Sequence, residues 1–167
     1  MKIKVQARYF IEEELKEDVV SLKRDAIISI YSNCDKSPIR WNKNVLRLQF
    51  DDITDREYNK LPECYILFTK AQAHQILDFA EKLFEHKDDK DAPYQLVVHC
   101  DAGISRSGAV GLFLNNYFNS YKEDRYRDLC WFYDKNINIV PNPYVLALLY
   151  EAWNERKKYE GKNRICK

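Results

Sequence analysis

The sequence predicts an α/β fold, with a central, mostly parallel sheet of about four to five strands and helices on both faces. One observation and one general rule support this class. The observation is that apolar segments rich in β-branched residues alternate along the chain with amphipathic segments of helical period. Strands that alternate with helices pair in parallel, and a parallel sheet is covered by helices on both faces. Because 167 residues is the size of one domain, we expect a single domain over residues 1–167.

Four segments have the composition of strands. Residues 26–30 (AIISI) and 95–100 (QLVVHC) are apolar runs of the kind found in buried strands. Residues 45–50 (VLRLQF) alternate apolar and polar side chains, which predicts a strand with one face less completely covered. The opening segment 2–10 (KIKVQARYF) is a weaker strand candidate.

Four further segments are predicted to be helices. In residues 69–84 the apolar side chains recur at helical spacing, with Thr69 as the N-cap. Residues 107–118 are apolar nearly all round, which predicts a helix buried at the centre of the domain. Residues 123–136 and 143–160 are the remaining two, the latter with Pro143 in its first turn. The charge-rich segment 85–93 is interpreted as a solvated turn.

The charge balance argues against two classes of partner. The chain has 27 basic and 26 acidic residues, a net charge of +1, so we expect no nucleic-acid partner and no attraction to an anionic membrane. No apolar run has the length of a membrane span, and the opening residues lack the apolar core of a signal peptide. Five cysteines, an odd number without a CxxC pair, favour a reducing compartment. We therefore expect a cytoplasmic monomer.

The segment HCDAGISRSG, residues 99–108, is predicted to be a phosphate-binding loop. A strand that ends at Cys100 and a helix that begins near Arg106 leave a tight loop between them. Its members are Asp101, Ala102, Gly103, Ile104 and Ser105. Backbone N–H groups at a helix start lack helical partners and can bind an anion, assisted by the helix dipole. Gly103 allows the backbone to bend or to approach a ligand closely, and the planar fork of Arg106 can hold two phosphate oxygens.

Cys100 is the candidate nucleophile. A thiol beside a helix N-terminus and an arginine ionises readily, and a thiolate below a bound phosphoryl group can attack it. Hydrolysis would then proceed by transfer to sulfur and release to water, with Ser107 as a hydrogen-bond donor to the sulfur. An isolated cysteine is more often a small buried hydrophobe, and the sequence gives this interpretation for the other four. These are Cys34, Cys64, Cys130 and Cys166.

Residues 99–107 contain the complete signature His-Cys, five residues, Arg, Ser, and in this the chain resembles the cysteine-dependent protein tyrosine phosphatase superfamily. The resemblance is to its compact dual-specificity branch, and it implies the fold of that superfamily. It implies Cys100 as nucleophile, Arg106 for phosphate and transition-state binding, and Ser107 for thiolate release. It also implies His99 for shaping the loop and the thiolate, and the backbone of residues 101–105 for phosphate binding. Asn142 resembles an asparagine that supports the active-site loop in that branch.

The general acid is less well defined by the sequence. In the superfamily, an aspartate on a movable loop upstream of the cysteine protonates the leaving group. Here Asp51, Asp52 and Asp55 follow a predicted strand, and open α/β sheets bind ligands at the carboxyl ends of their strands. The pattern of a strand followed by Asp favours Asp52, with Asp51 and Asp55 as alternatives. Turn or helix-cap roles are the simpler interpretation for two of the three. Residues 56–68 are interpreted as an extra loop.

Three functions remain compatible with the sequence. The favoured one is a phosphoprotein phosphatase, either for phosphotyrosine alone or for phosphoserine and phosphothreonine as well, whose partner is the phosphorylated protein. The second uses the same chemistry on a phosphoinositide or an RNA 5′ end. The loop has no lysine and Asp101 would repel a polyanion, which disfavours the phosphoinositide. The third is a non-catalytic phosphate-binding module. We expect no metal or cofactor, because the loop and Arg106 supply the positive field.

Overall fold

The structure is a computed structural model that describes residues 1–33, 35, 37, 39–60, 63–85, 89–90, 92–119 and 125–165. For residues 125–128 and 159–165 it describes the backbone, and for the others it describes the side chains as well. Within these residues, four strands form one sheet in the spatial order β1-β4-β2-β3. They are β1 (Lys2–Ala7), β2 (Ala26–Tyr31), β3 (Val45–Gln49) and β4 (Gln95–Cys100). Every pairing is parallel, so the carboxyl ends of all four strands lie at one edge of the sheet.

The described residues form six helices. They are α1 (Arg8–Lys16), α2 (Asp55–Tyr58), α3 (Lys70–Glu85), α4 (Arg106–Asn119), α5 (Arg125–Lys135) and α6 (Pro143–Ile165). In the part of the chain that the structure describes, no helix combines the length and the apolar character needed to cross a membrane.

The two faces of the sheet are covered by different helices. The larger core lies between the sheet and the helices α3, α4, α5 and α6, and it includes Cys100 at the end of β4. A smaller cluster on the other face joins Ile11 of α1 to Val97 of β4. Side chains alternate between faces along a strand, so His99 and Val97 share the face that α1 covers. This arrangement confirms the predicted α/β class.

The predicted elements are found with small shifts at their ends. Residues 26–30, 45–50 and 95–100 form β2, β3 and β4, and residues 107–118 form the buried helix α4. The backbone N–H of Gln72 donates to Thr69 Oγ1 at 3.2 Å, which confirms Thr69 as a capping residue. Residues 123–124 of the predicted helix 123–136 lie outside the described residues, as do 86–88 and 91 of the predicted turn.

Two boundaries inferred from the sequence were wrong. The opening strand stops at Ala7, and residues 8–10 already belong to α1, which the sequence pattern did not predict. This helix buries Ile11 but leaves Tyr9 and Phe10 exposed, so its apolar residues do not form one clear stripe. The segment 56–68 also contains part of the short helix α2. There the backbone N–H of Thr54 donates to the Glu57 carboxylate at 2.7 Å.

Candidate active site

The loop of residues 101–105, between β4 and α4, turns three of its carbonyl groups outward. Asp101 O accepts a hydrogen bond from Arg8 N at 3.2 Å, Ile104 O from Val140 N at 3.1 Å, and Ser105 O from Asn142 N at 3.2 Å. In a planar trans peptide group, the N–H points away from the C=O. The N–H groups that follow these carbonyls therefore point into the loop, as an anion-binding cradle requires.

Gly103 is required by close packing at the back of the loop. Its φ of +72° lies in the left-handed region. A Cβ atom there would lie 2.4 Å from Ala7 N and 2.4 Å from the carbonyl carbon of Gln6. The sequence suggested a bend or close contact with a ligand, and the structure shows both the bend and a close contact with the end of β1.

Cys100 and Ser107 lie together at the base of the loop. Cys100 is the last residue of β4 and is only 2% exposed, and Ser107 is in the first turn of α4. The Cys100 Sγ atom is 3.0 Å from Ser107 Oγ. The hydroxyl can therefore donate a hydrogen bond to a negatively charged sulfur, and the N-terminus of α4 contributes a positive potential there.

Arg106 is a buried cation, 5% exposed, whose guanidinium is held on two sides. Its Nη1 donates to Ser32 Oγ at 2.9 Å and to the Phe50 carbonyl at 2.9 Å, and its Nη2 donates to the Asp101 carboxylate. Its Nε is buried and has no hydrogen-bond partner in the structure. Nε–H and one Nη2–H lie on the same edge of a guanidinium, the edge that binds two phosphate oxygens side by side.

Asp52 is the upstream aspartate that contacts the loop. Its Oδ1 accepts hydrogen bonds from Ser105 Oγ at 2.7 Å and from Asn142 Nδ2 at 2.9 Å. The carboxyl group is therefore held at the rim of the cradle. From this position it can exchange a proton with a group that is bound to the loop.

The other two candidate aspartates have different surroundings. Asp51 accepts hydrogen bonds from Ile66 N at 2.7 Å and from Asn33 N at 3.1 Å, one on each carboxylate oxygen. It fixes the backbone of two loops. Asp55 is the exposed first residue of α2. These are the turn and helix-start positions that short acidic side chains commonly occupy.

Asn142 connects Asp52 to α6. Its Oδ1 accepts hydrogen bonds from Tyr144 N at 3.0 Å and Val145 N at 3.1 Å, which makes it the N-cap of α6. Its Nδ2 donates to Asp52 and, at 3.3 Å, to the carbonyl of Ile53. Both ends of the buried amide are engaged, so its orientation is fixed.

His99 is fully buried beneath the loop, between Gln6 of β1 and Ser29 of β2. Neither ring nitrogen has a hydrogen-bond partner. Burial is the main cause that lowers the pKa of His99 to about 4, and the positive charge of Arg8 lowers it further. The imidazole is therefore neutral at physiological pH.

The architecture of the chain is similar to that of several known proteins. No protein-family model and no curated protein matches the sequence. Among solved structures, Tk-PTP in its active form is 20% identical, with a TM-score of 0.52 over 91% of each chain. Human DUSP28 is 14% identical, with a TM-score of 0.56 over 94% of each chain. PTPMT1 in complex with PI(5)P is 16% identical, with a TM-score of 0.54 over 95% of this chain and 94% of its own. The chain has the fold of the protein tyrosine phosphatases.

This phosphatase fold confirms the fold expected from the signature of residues 99–107. It also brings the loop, Cys100, Arg106, Ser107 and Asp52 to one end of the sheet. The sequence did not indicate Ser32 or Arg8, which also reach this end of the fold. Each follows the carboxyl end of a strand, Ser32 after β2 and Arg8 after β1, and the rule that selected the aspartates after β3 applies to them equally.

The expectation for the remaining cysteines was wrong where the structure can test it. Cys64 and Cys130 are exposed rather than buried. Cys64 lies in the segment that follows α2, and Cys130 lies on the solvent side of α5. Cys34 and Cys166 lie outside the described residues.

The burial of His99 predicts that the free energy of unfolding decreases as the pH falls from about 6.5 to about 4. In this range the imidazole binds a proton in the unfolded chain but not in the folded protein, so acid favours unfolding. Over the full range the loss is about 3 kcal/mol. Urea unfolding at several pH values, for the wild type and for His99→Gln, measures it.

The glutamine variant has no group at position 99 that titrates in this range. Its stability should therefore fall less than that of the wild type between pH 6.5 and 4, whatever its stability at neutral pH. If the two proteins lose the same free energy over this range, His99 is not held neutral by the fold.

Proposed function

We propose that the chain is a cysteine-dependent phosphatase that hydrolyses phosphate monoesters on protein tyrosine, and also on serine or threonine. One observation supports this most strongly. The sulfur of Cys100 lies at the base of a cradle of inward N–H groups, 3.0 Å from the hydroxyl of Ser107. The free Nε–H of the buried Arg106 adds a donor for phosphate beside it.

The first step transfers the phosphoryl group to the enzyme. The Cys100 thiolate attacks phosphorus, the S–P bond forms and the ester P–O bond breaks. The bonding electron pair leaves with the ester oxygen, which takes a proton from the carboxylic acid of Asp52. The loop N–H groups and Arg106 stabilise the charge on the transferring phosphoryl oxygens throughout.

The second step releases phosphate. The Asp52 carboxylate removes a proton from water, and the water oxygen attacks phosphorus. The S–P bond breaks, its electron pair returns to Cys100, and the Ser107 hydroxyl stabilises the departing thiolate. Inorganic phosphate leaves, and Asp52 is again protonated for the next cycle.

The charges around the cradle favour a substrate with a single phosphate. The Asp101 carboxylate binds Arg106, and residues 101–105 include no lysine. A second phosphate group beside the reacting one would meet this negative charge. The alternative, a phosphoinositide substrate, is suggested by the structural similarity to PTPMT1 in complex with PI(5)P.

That the chain is a monomer and is located in the cytoplasm stays a prediction from the sequence.

The proposal is tested by the hydrolysis of para-nitrophenyl phosphate, without added metal and with reductant, across a range of pH. We expect the wild type to turn over and Cys100→Ser to be inactive while it still binds vanadate. Asp52→Ala should lose about 10²- to 10⁴-fold in kcat, because the leaving group receives no proton. Asp55→Ala is the matched control, since Asp55 is an exposed aspartate three residues away, and it should retain activity.

Two results would contradict the mechanism. Equal losses in Asp52→Ala and Asp55→Ala would remove Asp52 as the specific acid. A wild type that binds vanadate but does not turn over would instead support a non-catalytic phosphate-binding module.

A second prediction tests whether the negative charge of Asp101 weakens the binding of phosphate groups near the cradle. We expect Asp101→Asn to bind inorganic phosphate about threefold to fivefold more tightly, because a negative charge beside the cradle is removed. Solvent screens this side chain, which is 38% exposed, so a larger effect is not expected. The inhibition constant of phosphate measures the change.

Asp35→Asn is the control for this prediction. Asp35 is exposed and its carboxylate lies 3.6 Å from Arg8, so the variant removes the same charge from a residue outside the loop of residues 101–105. It should alter phosphate binding less than Asp101→Asn does. Weaker phosphate binding in Asp101→Asn would mean that the carboxylate acts mainly by positioning Arg106.

A further inference from the structure

An open groove of about 470 Å³ lies beside the catalytic loop. It is bounded by residues 102–104 of that loop, by the end of β1, and by the segment 135–140, which runs from the last residue of α5 towards α6. We refer to it as the loop-side groove. Ile104 belongs both to the groove and to the loop that follows Cys100, so the groove lies next to the proposed active site.

Four side chains of the loop-side groove are apolar and exposed. Ile137 is 78% exposed, Val140 69%, Phe10 57% and Ile104 37%. Single exposed apolar residues are common on protein surfaces, but a contiguous group around a concave site is typical of a binding surface. Among the described residues that line it, Lys135 is the only charged one.

The groove is held in shape by hydrogen bonds. Val5 N donates to Asn136 Oδ1 at 2.8 Å, and Asn136 Nδ2 donates to the Phe132 carbonyl at 2.7 Å. Val140 N donates to Ile104 O at 3.1 Å. The segment 135–140 is thus fastened to the edge of the sheet at one end and to the catalytic loop at the other. A preformed groove binds with a smaller loss of conformational entropy.

We propose that the loop-side groove binds an apolar side chain of the substrate polypeptide, close in sequence to the phosphorylated residue. This inference rests on the proposed function, since the phosphorylated residue must occupy the cradle. Consecutive Cα atoms are 3.8 Å apart, so residues a few positions from the phosphorylated one can reach Ile104 and the neighbouring rim. Because the walls are mainly apolar, an aliphatic or aromatic side chain fits them better than an acidic one.

The test uses phosphotyrosine peptides of about seven residues that differ only in Leu, Ser or Asp at the positions flanking the phosphotyrosine. For each, kcat/KM is divided by kcat/KM for para-nitrophenyl phosphate, which is too small to fill the groove. We expect the best Leu peptide to exceed its Ser counterpart about tenfold. In Ile137→Ser this preference should fall to about twofold or less.

Val19→Ser is the matched control, because Val19 is 57% exposed and lies outside the groove. It should keep the full preference for leucine. Equal use of Leu and Ser peptides by the wild type, a preference for Asp, or an unchanged preference in Ile137→Ser would overturn the inference. So would a concentration-dependent dimer that Ile137→Ser abolishes without changing peptide preference, because the occupant would then be a second copy of the chain.

A binding measurement separates this inference from the proposed activity. The Cys100→Ser variant, with and without Ile137→Ser, is titrated with the same peptides, and the Leu peptide should bind about tenfold more tightly only when Ile137 is present. If the wild type shows no turnover but this difference is found, the phosphatase proposal fails and the groove remains. If para-nitrophenyl phosphate is hydrolysed but no peptide preference is found by either method, the groove inference alone fails.

Discussion

One buried guanidinium connects the ends of three neighbouring strands. Arg106 takes its acceptors from Ser32 after β2, from the Phe50 carbonyl after β3, and from Asp101 after β4. A cation that is only 5% exposed needs such partners, because removal from water is costly unless the charge is paired and hydrogen-bonded. Only parallel strands bring three carboxyl ends to one place. The sheet topology and the position of Arg106 are therefore parts of one arrangement.

A second set of contacts fixes the opposite rim of the cradle. Asn142 caps α6 with its carbonyl oxygen and holds Asp52 with its amide nitrogen. Its backbone N–H also binds the Ser105 carbonyl, and the Ser105 hydroxyl returns to Asp52. The start of α6, the loop and Asp52 thus form a closed circuit of hydrogen bonds. The position of Asp52 depends on a helix that lies more than ninety residues away in sequence, as is usual for sites that rigid elements preorganise.

Local sequence patterns predicted the elements whose burial depends on their own composition. The strands β2 and β4 and the helix α4 are dense in apolar residues, and their burial followed from composition alone. The helix α1 was not predicted, because Ala7 provides no side-chain cap and Tyr9 and Phe10 face solvent. The choice among Asp51, Asp52 and Asp55 depended on partners that are distant in sequence. Asp51 and Asp52 are adjacent, and tertiary hydrogen bonds alone give them different surroundings.

The last two residues of β4, His99 and Cys100, lie in different chemical environments on opposite faces of the sheet. Alternation along the strand directs Cys100 towards α4 and His99 towards the face that α1 covers. The Cys100 sulfur lies 3.0 Å from the hydroxyl of Ser107, in the first turn of α4. On the other face, burial and the nearby Arg8 keep the imidazole neutral. Neither ring nitrogen has a hydrogen-bond partner in the structure. The His-Cys pair thus places an imidazole that the fold keeps uncharged beside a sulfur that contacts Ser107 at the base of the loop.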